Sequence, residues 1–263
     1  MGLTDAICQL IDTHCHLYSE AFNGDREEMM KRNTEAGIRK MYLPAIDNST
    51  HNAMLQMEKN YPQCRAMMGL HPCSVNLNYK NELSIVEEWL NKKSFAAVGE
   101  IGLDYYWSTE FAEQQGEAFR IQMQWALNKK LPIVIHTRNA MRETIDAVKP
   151  FADAGLRGIF HCFSGNEEEA KQIVDMNFYL GIGGILTYKK SGLPEALANI
   201  SLDCLVLETD APYLPPVPYR GKRNESSYLP FIAKKLADLK GVSIEEVAHI
   251  TTCNAEKVFS SLV

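Results

Sequence analysis

Residues able to do chemistry recur in this sequence at the downstream end of short apolar runs. Five of the seven histidines sit there. His14 and His16 follow Leu10-Ile-Asp, His71 follows Ala66-Met-Met-Gly-Leu, His136 ends Leu131-Pro-Ile-Val-Ile, and His161 follows Gly158-Ile-Phe. Two carboxylates share the pattern: Glu100 ends Ala96-Ala-Val-Gly, and Asp210 follows Leu205-Val-Leu-Glu-Thr. Side chains two apart on an extended chain share a face, so His14 and His16 can grip one ion with both imidazoles. A carboxylate at the end of an apolar run is costly to bury without a partner. Together His14, His16, Glu100, His136, His161 and Asp210 predict a metal centre. Six ligands exceed one tetrahedral shell, which points to two divalent ions sharing a carboxylate. Zn, Mn and Mg are the candidate ions. Mixed histidine and carboxylate ligation suits the first two, whereas Mg prefers oxygen. His51 and His249 fall in predicted helical segments and stay outside the set. Trp89, Trp125, Tyr61 and the Met29–Met30 pair read as packing residues.

The runs that position these groups are Ile7–Asp12, Lys40–Leu43, Arg65–Gly69, Phe95–Ile101, Pro132–Ile135, Gly158–Phe160, Tyr179–Gly181 and Cys204–Leu207. They are continuous and apolar, as strands covered on both faces are. Between them lie amphipathic segments that predict helices over Arg26–Glu35, Ser49–Asn60, Glu82–Asn91, Phe111–Lys129, Ala140–Ala154 and Glu167–Met176. Alternation of this kind gives a parallel sheet with helices outside. Eight units in 263 residues favour an α/β fold of one closed (β/α)8 TIM-type barrel over residues 1–263. In such a barrel all strand C-termini open on one face, so the ligand candidates converge there. Tyr228–Lys240 and Ser243–His249 predict extra C-terminal helices. Residues 209–224 form the longest loop, rich in proline and ending in basic residues, and loops of that length are usually functional. Neither G-x-G-x-x-G nor G-x-x-x-x-G-K-[ST] occurs, which removes the dinucleotide and P-loop readings.

The composition is that of a folded globular chain, with 46% hydrophobic and 23% charged residues. A chain this long needs no metal merely to fold, so a metal here serves chemistry. The net charge of −6 argues against a large non-specific nucleic-acid surface and leaves room for a local basic rim. Seven cysteines, with no CxxC spacing, suggest a reduced cytoplasmic chain and not a disulfide framework. The first 17 residues show no secretory pattern, and no run is long enough to span a bilayer.

Several segments in order resemble one family. Leu10-Ile-Asp-Thr-His-Cys-His-Leu, Gly69-Leu-His-Pro72, Gly99-Glu-Ile-Gly-Leu-Asp104, Leu131-Pro-Ile-Val-Ile-His-Thr-Arg138, His161-Cys-Phe-Ser-Gly165, Leu205-Val-Leu-Glu-Thr-Asp-Ala-Pro-Tyr213 and Val217-Pro-Tyr-Arg-Gly-Lys-Arg-Asn224 resemble the TatD family of metal-dependent deoxyribonucleases, a branch of the amidohydrolase-like barrels. The resemblance runs from the first strand to the last. It implies that His14, His16 and Asp210 hold one ion, His136 and His161 the other, and that Glu100 bridges them. Tyr18 departs from the pattern, standing where the family usually has Asp or Asn.

The resemblance implies hydrolysis of DNA, as an exonuclease on single strands, with Asp210 as the base. His71 and Arg138 are candidate phosphate contacts. For Arg138 the competing expectation is an ion pair with Glu100 or Asp210. Arg220, Lys222 and Arg223 are candidate contacts to the backbone of a single strand, with Tyr213 or Tyr219 stacking on a base; a solvated loop competes. Two other classes stay open. One is a hydrolase of another ester or amide, such as an aminoacyl-tRNA deacylase, because fold does not fix substrate. The other is a metal-binding module without catalysis. No membrane association and no obligate protein partner are expected.

Overall fold

The computed structural model describes residues 9–260. The first residues of the predicted Ile7–Asp12 strand, Cys8, and half of the segment read for a secretory leader lie outside that range. Eight parallel strands run β1 (Leu10–Asp12), β2 (Ile38–Pro44), β3 (Cys64–Met67), β4 (Val98–Asp104), β5 (Ile133–Arg138), β6 (Gly158–Phe160), β7 (Tyr179–Ile182) and β8 (Leu205–Leu207). The ladders join β1 to β3 in one set and β4 to β8 in another. Backbone bonds close both seams: Gly99 N–H donates to Met68 O at 3.0 Å, and Thr13 N–H donates to Leu207 O at 3.1 Å. The result is the predicted closed barrel. Outside it lie α1 (Arg26–Glu35), α2 (Asn48–Asn60), α3 (Tyr79–Lys92), α4 (Ala112–Lys129), α5 (Met141–Asp153), α6 (Glu167–Asp175), α7 (Leu193–Leu197), α8 (Leu229–Lys240) and α9 (Ile244–Phe259).

Side-chain alternation sorts each strand into an outer and an inner set. The outer set packs under the helices in the large core. The inner set forms a layer of Ile11, Tyr42, Met67, Ala97, Val134, Ile159 and Val206. The last turns of α9 plug the lower end of that layer with Ala255, Val258 and Phe259, the last of which stacks on Tyr42 at 3.6 Å. Two residues further along, the inner positions of β5 and of the chains leaving β6 and β8 carry His136, His161 and Glu208. An apolar plug thus sits beneath a polar floor.

β4 differs from its predicted bounds, and the difference matters. The expected strand ends at Ile101, with Glu100 near its end; the observed one continues to Asp104. Opposite β5, Gly99 pairs with Val134 and Ile101 with Ile135, which leaves Glu100 as the extra residue of a bulge. A bulge re-aims one side chain without ending the ladder. Glu100, Gly102 and Asp104 then share the interior face. Gly102 has φ +149°, and a Cβ there would lie 1.9 Å from the carbonyl oxygen of His136. Only glycine lets β4 and β5 approach at the level of the site.

Gly102→Ala should therefore destabilise the fold by about 3 kcal/mol or more, since the clash is with backbone. Gly24→Ala, where nothing lies within 4 Å of the added carbon, serves as the control. Chemical denaturation of both variants measures the difference, and equal stabilities would show that β4 and β5 can separate freely.

Candidate metal centre

Beyond β1 the chain stays extended through Cys15, whose N–H donates to Tyr42 O at 3.0 Å and which bridges to Ala211. This carries His14 and His16 into the mouth of the barrel. Their Nε2 atoms lie 3.3 Å apart. Asp12, fully buried beneath them, fixes the segment: it accepts the backbone N–H of His14 and Thr209 and the hydroxyl of Ser226. Burial pushes the Asp12 carboxyl up to about 6 against those hydrogen bonds.

Glu100 stands at the centre with its two oxygens divided. Oε2 faces His14 Nε2 at 3.2 Å and His16 Nε2 at 3.8 Å. Oε1 faces His136 Nδ1 at 2.9 Å, His161 Nε2 at 3.3 Å and His71 Nε2 at 3.5 Å. Asp210 Oδ1 completes the first side, 3.5 Å from His16 Nε2 and 3.7 Å from His14 Nε2. Two donors bound at about 2.0–2.1 Å in a tetrahedron are about 3.3–3.4 Å apart. The spacings among His14, His16, Glu100 and Asp210 run from 3.2 to 3.8 Å, at that value and slightly above it.

Charge supports the same use. Glu100, Asp104, Glu208 and Asp210 converge here, and among the described residues none pairs with lysine or arginine within 4.0 Å. Buried negative charge of this density calls for protons on histidine or for bound cations. The histidine protons respond in kind. Burial drives His14 down, and neighbouring His161 adds to the effect. In His161 burial pulls the same way, but Glu208 and Glu100 outweigh it and hold the group up at about 10. Burial alone would raise Glu100, yet His14, His71 and His161 keep it well below the usual carboxylate range.

Hydrogen bonds set which nitrogen of each ring is available. Tyr18 donates its hydroxyl proton to Pro44 O at 2.6 Å, so its oxygen accepts from His16 Nδ1 at 2.9 Å. His16 Nε2 is thereby left with a lone pair facing Asp210 and Glu100. Glu208 Oε1 accepts from His161 Nδ1 at 2.9 Å and turns Nε2 toward Glu100. His136 is held at both nitrogens, by Glu100 at Nδ1 and by Asp104 at Nε2 at 2.8 Å. Burial pushes Asp104 up, but the hydrogen bond and charge of His136, with the N–H of Tyr106, together outweigh it and bring the carboxyl to about 2. Asp104, Glu208 and Tyr18 are the orienting groups that reading for ligands passes over. A signal exists for two of them: Asp104 lies an even number of residues beyond Glu100, and Glu208 lies two before Asp210.

The remaining candidates are dispersed. His71 Nδ1 accepts the N–H of Cys73 at 3.0 Å, so its proton sits on Nε2 and points at Glu100. Arg138 is exposed and makes neither expected ion pair; its guanidinium lies 3.6 Å from the ring centre of Tyr106. Arg220 and Lys222 are exposed in the loop after β8, with Arg220 over the Tyr188 ring. Arg223 is differently placed. It grips both oxygens of Asp25 at 2.6 and 2.7 Å, and Arg32 ties Asp25 to Glu225. These bonds clasp the loop to α1, and they occupy the fork expected to meet a nucleic-acid backbone. Tyr219 lies flat on Tyr228 at 3.9 Å, whereas Tyr213 is 53% exposed and has its ring centre 6.0 Å from that of His16.

Comparison with known proteins gives the family. The pattern of the TatD related DNase family matches residues 11–260. The chain belongs to that family. A metal-dependent hydrolase of Bacillus subtilis, YabD, is 37% identical over 251 residues, covering 95% of this chain and 98% of its own. The 3'-5' ssDNA/RNA exonuclease TatD of Salmonella typhimurium is 30% identical over 256 residues, covering 95% and 98%. Among solved structures, YjjV, a TatD homologue of Escherichia coli K12, superposes with a TM-score of 0.91 at 29% identity, covering 97% of this chain and 99% of that one. The protein is thus a metal-dependent hydrolase of the TatD type. No helix among the described residues is long and apolar enough to cross a membrane.

Partners of metal-binding histidines set their orientation and basicity, and losing one typically costs 10–100-fold in metal affinity. Asp104→Asn should therefore weaken divalent-metal binding by about 10–100-fold while leaving the fold intact. Calorimetric titration of the metal-stripped protein tests it; unchanged affinity would show that His136 needs no anchor.

Proposed function

We propose that the protein hydrolyses phosphodiester bonds of single-stranded DNA, working from an end, with two divalent ions. His14, His16 and Asp210 would hold one ion and His136 and His161 the other, with Glu100 shared. The observation that carries the reading is the division of Glu100, one oxygen toward each histidine set. Bound there, divalent ions lower the pKa of water and neutralise charge on the phosphate and the leaving oxygen.

The chain's own groups supply the rest. Asp210 is the base. Burial raises its carboxyl, but His16, His161 and His14 outweigh that and hold it below its usual range, so it is ionised and able to accept a proton from the attacking water. Its side chain keeps 15% exposure, against 3% for Glu100, which supports its role as the group that meets the water. His71, driven toward its neutral form by burial, offers Nε2–H to a phosphate oxygen. Arg138 offers a planar fork to the same phosphate. Arg220 and Lys222 hold the strand beyond it, and Tyr213 is placed to stack on a base. Support for a nucleic-acid substrate comes from this arrangement of cations and rings around the metal centre and from the activity named for the Salmonella relative.

Asp210→Asn should fold normally and lose about 10²–10⁴-fold in turnover, the size typical of general-base removal. A chelator should abolish hydrolysis of a single-stranded oligonucleotide, and Mn or Zn should restore it. Hydrolysis of aminoacyl-tRNA or of simple esters with no action on oligonucleotides would replace this reading with another ester hydrolase.

For the loop after β8, the pair Arg220→Ala and Lys222→Ala should weaken oligonucleotide binding. Removing one cation from one phosphate flattens the salt dependence by about 0.7, so the double variant should show a slope shallower by up to about 1.4. Arg223→Ala should instead loosen the loop from α1 and show as lower stability. Equal effects on oligonucleotides and on a small phosphodiester in the Arg220/Lys222 variant would mean the loop acts through the metal centre.

A further inference from the structure

The five large hydrophobic side chains most exposed to solvent among the described residues are Leu77, Tyr106, Trp107, Tyr213 and Val217. All five lie in loops that follow strands, on the face of the barrel that carries the metal centre. Apolar exposure confined to one face marks a binding surface. Within this set Tyr106 and Trp107 form a unit. They are 50% and 71% exposed, and their rings meet edge to face with centres 4.9 Å apart.

Their place is fixed from below. Asp104 Oδ1 accepts the N–H of Tyr106 at 3.0 Å and of Trp107 at 3.4 Å, while its Oδ2 holds His136. One carboxylate therefore orients both a metal-centre histidine and the two rings. Tyr105 N–H donates to Arg138 O at 2.9 Å, pinning the start of the loop to the end of β5. Arg138 lies 3.6 Å from the centre of the Tyr106 ring and 5.3 Å from that of Trp107. Stacking holds the guanidinium as a cation beside an aromatic surface with no carboxylate within ion-pair distance among the described residues.

We propose that Tyr106, Trp107 and Arg138 form a nucleobase-stacking platform. It would take the base of the nucleotide whose phosphate enters the metal centre, with Trp107 as the main stacking surface and Arg138 placed between base and phosphate. This rests on the phosphodiesterase reading above and adds to it the recognition of an unpaired base. A single strand alternates flat apolar bases with anionic phosphates, and the platform alternates rings with a cation in the same way. Such stacking tolerates every base, because each has a π-face, and it excludes a base still paired in a duplex. An acidic peptide would also suit the cation, but it offers no flat group to Trp107.

The test uses the full metal-loaded protein and single-stranded oligonucleotides in which one nucleotide near the end is replaced by an abasic unit, moved one position at a time. Trp107→Ala should raise KM on the natural strand by about tenfold or more, the range for removal of one base stack, with kcat changed much less. At one position the abasic unit should cost the wild type a similar factor and cost Trp107→Ala nothing further, because one interaction is removed twice. Trp107→Phe should recover most of the activity. A small phosphodiester without a base should be cut equally well by all three proteins. Oligothymidylate should quench the tryptophan fluorescence of the wild type, and the quench should vanish in Trp107→Ala, since Trp89 and Trp125 pack against the core. Equal effects on all substrates, or no effect on any, would overturn the platform while leaving the nuclease reading standing. Quenching by an acidic peptide and not by oligothymidylate would assign the surface to a protein partner. A wild-type protein that cuts no oligonucleotide would overturn both readings.

Discussion

The structure turns on one carboxylate held where an apolar interior would otherwise continue. Glu100 is buried among five histidines, and each of its oxygens faces a different group of them. Isolated in that position it would be prohibitively costly. The bulge in β4, the glycine that lets β5 come close and the extended passage from His14 to His16 all serve to bring compensating groups to it. Removing any of these leaves an uncompensated charge, which is the costly way to damage a buried polar cluster.

Around that centre lies a ring of groups that never need to touch an ion. Tyr18, Asp104 and Glu208 each bind the far nitrogen of a histidine and so decide which nitrogen is available. Asp12 does the same for the backbone, tying the end of β1 to the loop after β8. Geometry at the centre is thereby inherited from hydrogen bonds outside it. At position 18 the orienting group is neutral. A phenol does the orienting, because its own proton has a backbone carbonyl to go to.

Strand order, the barrel and the six ligand candidates are legible in the sequence because they depend on runs and their ends. Apolar segments without alternation announce strands buried on both faces, and the polar residue closing each one marks the open end. The bulge is not legible. Gly-Glu-Ile-Gly-Leu-Asp reads equally well as a strand ending at Ile101 or continuing to Asp104, and pairing with β5 decides between them. The last helix reads short for a similar reason. Thr251, Thr252 and Asn254 are poor helix formers, yet α9 runs through them to Phe259. Asn254 donates to the carbonyls of Leu202 and Leu205 and is thus drawn into the helix by tertiary contacts. Arg223 resembles its basic neighbours in sequence because a charge run carries no mark of which member has an acidic partner about 200 residues away.

The plug formed by α9 sets the order of events during synthesis. Ile11, Tyr42, Met67, Ala97, Val134, Ile159 and Val206 line the lower barrel, and the residues that cap them are among the last described residues of the chain. Strands emerging from the ribosome can pair with one another, but the lower opening stays wet until Ala255, Val258 and Phe259 arrive. Until that moment the nascent barrel is a greasy funnel, open at its base to chaperones and to other unfinished chains. Final drying of the interior, and with it a rigid floor for the polar layer above, must wait for α9 to dock.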